Sequence, residues 1–201
     1  MKHNVYDFDK TIYKDDSALD FYLFCLSKHP GILAEIPVTA IYGVLYLFKL
    51  CSKTTLKEKF YRFLRHVDSV DDLLMQFWSV NQAKIKDFYI GQHNENDIII
   101  SASPEFVLKP ICKSLHINNL IASKVNQRTG LYDGENCWGE EKLKRFRDEM
   151  PNAEINEFYS DSLSDSPLAK IAEKAYVVRK DEIILWSDYR PSFIHNRPKI
   201  Y

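Results

Sequence analysis

Short β-branched or aromatic runs recur along this chain, and segments of helical periodicity separate them. That alternation narrows the fold more than any other feature. Strands that alternate with helices pack as a mostly parallel sheet with helices on its faces. The strand-like runs are residues 3–6, 98–100, 119–123, 157–160 and 175–178, and residues 183–186 fit a last edge strand. Helical patterns cover residues 17–26, 104–115, 140–150 and 168–174, with Ser17 a plausible N-cap and Asp20 three residues on. Thr129-Gly130 and Asp133-Gly134 are turn signals that predict a small hairpin. One block breaks the rhythm. From Pro37 to about Tyr89 no strand pattern occurs, and Leu56, Phe60, Phe63 and Leu64 recur at helical spacing. The expectation is an α/β core with a helical insertion.

At 201 residues the chain fits one domain, or one core domain with a modest insertion. Its 27 Lys+Arg against 28 Asp+Glu lack the basic excess of a nucleic-acid binder, so no nucleic-acid partner is expected. No pair among Cys25, Cys51, Cys112 and Cys137 has C-x-x-C spacing. Free, buried thiols in a reducing compartment are expected, and with them a cytoplasmic protein. His3, His29, His66, His93, His116 and His195 are scattered, none paired at metal-ligand spacing on a helix. The opening Met1-Lys2-His3-Asn4 runs straight into the first strand, which predicts no leader peptide. Residues 32–50 are mostly apolar, but Glu35, Pro37 and Lys49 leave a clean run of only residues 38–48. A span needs about 20 apolar residues, so this segment reads as non-spanning.

Four elements carry chemistry. In Asp7-Phe8-Asp9-Lys10-Thr11, an extended backbone sends both carboxylates to one side and Phe8 to the other. Two acids so close at a strand end need a compensating cation or a shared proton. Ser101 leaves the 98–100 strand, where its hydroxyl and the following N–H groups, beginning with Ala102, can hold a phosphate oxygen. An ordinary turn or helix cap fits the same residues. Either Lys142 or Lys144 can supply a cation from the charged helix. Asp161-Ser162-Leu163-Ser164-Asp165 offers oxygen ligands of the kind hard divalent cations prefer.

Taken in order, Asp7-x-Asp9-x-Thr11, Ser101, Lys142 and Asp161-Ser162-x-x-Asp165 resemble the motifs of the haloacid dehalogenase-like (HAD) hydrolase superfamily. The resemblance implies a Rossmannoid core with a mostly parallel sheet and an inserted helical cap. The core would comprise residues 1–14 and 95–201, and the cap residues 15–94. The helical insertion and the phrase Asn136-Cys137-Trp138-Gly139-Glu140-Glu141-Lys142 resemble the phosphoserine-phosphatase-like branch, and favour Lys142 as the motif lysine. The resemblance also implies the roles: Asp7 as nucleophile, Asp9 as acid and base, and Thr11 orienting Asp9 or the loop at the phosphate site. Ser101 with Ala102 would bind the phosphoryl group beside Lys142. Mg²⁺ would be held by Asp7, Asp9 and Asp161, with Asp165 either a further ligand or the partner that positions Lys142. Lys10 stands where many members have glycine.

Substrate is less legible. A small phosphorylated substrate is implied. The apolar run followed by Lys49, Lys53, Lys57, Lys59, Arg62 and Arg65 is also similar to the phosphatidylglycerophosphatase C family. That likeness implies a lipid phosphate and contact of residues 38–65 with an anionic membrane surface. A helix packed in its own bundle with a solvated basic face is the competing expectation, and a non-catalytic phosphate-binding module is a third. Oligomeric state is not readable.

Overall fold

In the computed structural model, residues 1–190 are described; residues 191–201, with His195, lie outside them. Six strands form one sheet in the order β3-β2-β1-β4-β5-β6. They are β1 (Lys2–Tyr6), β2 (Ile98–Pro104), β3 (Asn119–Ser123), β4 (Glu154–Ser160), β5 (Ala172–Arg179) and β6 (Glu182–Leu185). All pairs are parallel except β5 with β6. Val5 pairs with Ile98 on one side and Phe158 on the other, so β1, β2 and β4 end side by side. Whatever follows their last residues therefore converges at one edge, where open parallel sheets place their sites.

The central strands are buried on both faces, which is why Ile98, Ile99 and Ile100 form an unbroken apolar run. On one face Val5, Ile98, Ile100, Ile155 and Phe158 pack with Phe146 and Leu168. On the other, Tyr6, Tyr159 and Tyr176 stack across β1, β4 and β5 at 4.8 Å between successive ring centres. This second face continues into the helices that intervene between β1 and β2: α1 (Ser17–Lys28), α2 (Ile36–Leu47), α3 (Lys53–Phe60), α4 (Val70–Asn81) and α5 (Asp87–Gln92). Phe8 reaches into this group against Tyr13 and Trp78. The Trp78 indole donates to the Val107 carbonyl at 2.7 Å and ties α4 to α6 (Glu105–Ser114). After β3, residues Val125 and Tyr132 form an antiparallel bridge, the expected small hairpin. The remaining helices are α7 (Glu140–Glu149) and the short α8 (Ser166–Ala169).

Three details depart from the sequence-based expectation. Asp16, not Ser17, caps α1: its carboxylate accepts the Leu19 N–H, while the Ser17 N–H is taken by Asp9. The helix expected over residues 168–174 stops at Ala169, because β5 starts at Ala172, paired with Ile155 of β4. Finally, α2 packs into the expected helical bundle only in part: none of its residues is fully buried, and it meets α3 along a half-buried face where Thr39 donates to the Lys59 carbonyl at 3.3 Å. The four cysteines are free; Cys25, Cys112 and Cys137 are buried and Cys51 is half-buried.

Candidate active site

Asp7 is the first residue beyond β1, and its N–H still donates to the Tyr159 carbonyl at 2.9 Å, holding it in register with β4. Its carboxylate is buried. Oδ1 accepts from Lys142 Nζ at 2.6 Å and Oδ2 from the Thr11 hydroxyl at 3.3 Å. Lys142 also donates to Asp165 Oδ2 at 2.7 Å, and Asp165 accepts from the Ser160 hydroxyl at 2.8 Å. One cation is thus shared by two buried acids, with Asp165 anchored from behind. Gly139 aims the lysine: it begins α7 at φ 59° and ψ −124°, a backbone region open only to glycine. Lys144 instead lies at the surface beside Glu141. Of the two lysines, Lys142 is the one at this site.

Asp9 sits on the same side as Asp7. One oxygen accepts the Ser17 N–H at 2.6 Å and the other a short bond from the Ser103 hydroxyl. Thr11 is fully buried; its hydroxyl bonds Asp7 and accepts the Asp161 N–H at 2.9 Å, stitching the first and last acidic turns together. Ser101 is also fully buried, its hydroxyl accepting the Ser103 N–H at 3.1 Å. Ala102 and Ser103, rather than Ser101 and Thr11, line the open space at the site. Lys10 takes φ 59°, the left-handed region glycine favours, at the mouth of that space.

Burial dominates the electrostatics. It pushes the Asp7 carboxyl up to about 7 against the pull of Lys142, and Asp165 and Asp161 add to the rise. Burial raises Asp9, with Asp16 adding to it, and burial raises Asp161 despite Arg179 and Lys10. Negative charge at this edge is therefore undercompensated by the protein alone. Among the described residues no donor bonds the Asp161 carboxylate, and no three His, Cys, Asp or Glu side chains are arranged around one point. Asp165 is already held by Lys142 and Ser160. A hard divalent cation suits the chemistry of what is left: two carboxylates, Asp7 and Asp161, that line one cavity and whose charge the protein does not fully offset.

Above these residues lies a cavity of about 560 Å³, within the range of small-molecule sites. It is lined by Asp7, Asp9, Lys142, Asp161 and Asp165 and, from α1, α3 and the turn after α3, by Leu19, Leu56, Phe60 and Tyr61 among the apolar members. Sequence reasoning missed Ser103, which bonds Asp9, and Asp16. It also left Lys53 and Lys57 in a solvated or lipid-facing basic run, whereas both line the cavity. Their spacing of four on one helix was the available signal. Lys57 donates to the Ala102 carbonyl at 2.8 Å and to the Asn136 side chain at 3.0 Å. Burial, with Lys53 nearby, brings its ammonium down to about 8. Lys53 stands over the Trp138 ring at 4.3 Å.

The model for haloacid dehalogenase-like hydrolases matches residues 5–170 of this chain. Protein CicA of Caulobacter vibrioides is 30% identical over 86 residues, 39% of this chain, and the match spans 39% of that curated relative's length. Among the solved structures that share the fold are the following three. A protein of unknown function from Bordetella pertussis Tohama I superposes with TM-score 0.71 at 21% identity, covering 87% of this chain and 88% of that one. A phosphoserine phosphohydrolase-like protein from Francisella tularensis SCHU S4 gives 0.51 at 19%, with 87% and 86% covered. A probable phosphoserine phosphatase from Vibrio cholerae gives 0.56 at 13%, covering 87% of this chain and 55% of that one.

Proposed function

The chain belongs to the haloacid dehalogenase-like hydrolase family, and from that premise we propose that it is a Mg²⁺-dependent phosphatase acting through a phosphorylated Asp7. The observation that carries this reading is the pairing of Asp7 with Asp9 at one strand end, with Lys142 on Asp7 at 2.6 Å. A carboxylate can approach a phosphate dianion only where positive charge offsets the repulsion. Lys142 supplies one such charge, and Asp165, buried behind it, positions the ammonium. Bound Mg²⁺, held by the Asp7 and Asp161 carboxylates and the Asp9 main-chain carbonyl, would supply the rest. Residues 15–94 would act as the cap that closes the cavity.

In the first step an Asp7 carboxylate oxygen attacks phosphorus and the ester P–O bond breaks. The departing alkoxide takes the proton of Asp9, a group that burial helps to keep protonated. In the second, Asp9, now a carboxylate, takes a proton from water. The hydroxide forms a new bond to phosphorus, and the bond from phosphorus to Asp7 breaks, releasing inorganic phosphate and free Asp7. Ser17 and Ser103 hold Asp9 in place through both steps. Lys142 and the Ala102 main chain would hold the phosphoryl oxygens, with Ser101 shaping that turn and Thr11 fixing Asp7 against Asp161.

Hydrolysis of p-nitrophenyl phosphate tests the reading. Mg²⁺-dependent turnover is expected, with a loss of at least about 10³-fold in Asp7→Asn. A protein inert across pH and metals, and unaltered by Asp7→Asn, would instead be a phosphate-binding module. A second reading, a lipid-phosphate phosphatase at a membrane surface, is favoured by one observation: no residue of the apolar α2 is fully buried, and Ile36, Ile41, Val44 and Leu47 stand exposed.

A further inference from the structure

Lys53 and Lys57 line the same cavity as Asp7 and Lys142, from successive turns of α3. Among the described residues neither has a carboxylate within ion-pair distance; their partners are a carbonyl, an amide oxygen and an indole ring. Two partly desolvated ammonium groups one helical turn apart repel each other and gain nothing from neutral partners that a hydroxyl or amide would not give at lower cost. Lys57 has three N–H bonds and uses two, on Ala102 and Asn136. The phosphoryl group has its own cation in Lys142, so a second anion is what this pair lacks. Lys57 shares the cavity lining with Asp9, the group assigned to the leaving oxygen, as well as with Asp16 and Lys142.

Resting on the phosphatase reading, we propose that Lys53 and Lys57 form a second anion subsite within the cavity that Asp9 lines, so that the substrate is a phosphomonoester whose leaving group carries a second anionic group. Carboxylate and phosphate meet the same requirement. Leu19, Leu56 and Phe60 beside the lysines give the connecting part of the substrate an apolar wall.

Three compounds with one carbon skeleton separate these cases: glycerol 3-phosphate has no second anion, 3-phosphoglycerate has a carboxylate, and glycerol 1,3-bisphosphate has a phosphate. The subsite predicts kcat/KM for at least one anionic compound about 10–100-fold above glycerol 3-phosphate, the worth of a charged hydrogen bond. Which one is preferred identifies the anion. In Lys57→Met that ratio collapses toward one; Lys57→Arg retains most of it, and Lys53→Met, at a less confined position, reduces it in part. The ratio is taken within each variant, so a general loss of activity cancels. Calorimetric binding of the three compounds to Asp7→Asn, with and without Lys57→Met, repeats the comparison without turnover. A preference removed by Lys57→Met supports the subsite even where no ester is hydrolysed, an outcome that would count against the phosphatase reading alone. Equal binding and equal turnover of all three, or a preference that Lys57→Met leaves intact, overturns the subsite.

Discussion

At the scale of single residues, the site is a set of acids held against their ordinary tendency to ionise. Folded Asp7 keeps its proton up to about pH 7, whereas in the unfolded chain it releases it near 4. Between those values the folded state binds more protons than the unfolded one, so raising the pH across that window lowers stability. The metal-free protein is therefore expected to melt at a lower temperature at pH 7.5 than at pH 5. Mg²⁺ should raise Tm more at pH 7.5, because its ligands must be deprotonated to bind. Thermal melts at the two pH values, with Mg²⁺ and with chelator, measure both effects, and Asp7→Asn should flatten the pH dependence. A Tm indifferent to Mg²⁺ at pH 7.5 would remove the cation from the site. The acids themselves were legible because each follows a strand-like run, and a parallel sheet brings such ends together whatever the rest does. Ser103 was not: in Ser101-Ala102-Ser103-Pro104 either hydroxyl suits a turn, and only the path of β2 to Pro104 decides which one meets Asp9.

Elements were legible where period and punctuation agreed, and misread where tertiary pairing overrode local preference. Ala172-Glu173-Lys174 is helix-favouring by composition, yet it opens β5, because β4 offers it a parallel ladder. The same limit hid Lys53 and Lys57: a sequence shows that they share a helix face but not which way that face turns. The hairpin after β3 shows how closely two elements fit. Gly130 has φ +74°, and a Cβ there would stand 2.6 Å from the Tyr61 main-chain oxygen. Tyr132 of the same hairpin donates its N–H to Glu58 of α3 at 3.1 Å. Gly130→Ala therefore meets both a disfavoured backbone and an immovable carbonyl, and should cost about 2 kcal/mol or more. In a protein of this size that is a fall in Tm of about 4–8 °C. Gly91→Ala, with open space around its Cβ and an ordinary backbone, is the control and should change Tm little. Equal melting of the two variants would mean that the hairpin gives way easily and does not fix α3.

For the whole molecule, the unanswered feature is an apolar flank. Pro30–Leu47 is a helical run long and apolar enough to cross a membrane, and almost none of it is buried. Glu35, which interrupts the run in sequence, is paired with Arg62 at 2.8 Å and lies 3.2 Å from the His66 ring. Ile41, Val44, Leu47, Phe48 and Leu50 all stand exposed within ten residues of chain, the kind of apolar grouping that marks a contact surface. The basic run beside it is weaker than its residue count implies. Lys53 and Lys57 are committed to the cavity and Arg62 to Glu35, which leaves Lys49, Lys59 and Arg65 for an anionic surface. Lipid contact at this flank would thus be driven by apolar insertion, with a modest electrostatic share. Co-sedimentation should show binding to vesicles with and without anionic lipid, and binding should fall only a few-fold between about 50 and 500 mM salt. Val44→Glu with Leu47→Glu should abolish it while leaving p-nitrophenyl phosphate turnover intact, since neither residue lines the cavity. Strong salt dependence would shift the contact to the lysines, and no vesicle binding even at low salt would remove the lipid-surface reading and leave a small, doubly anionic phosphomonoester as the substrate to seek.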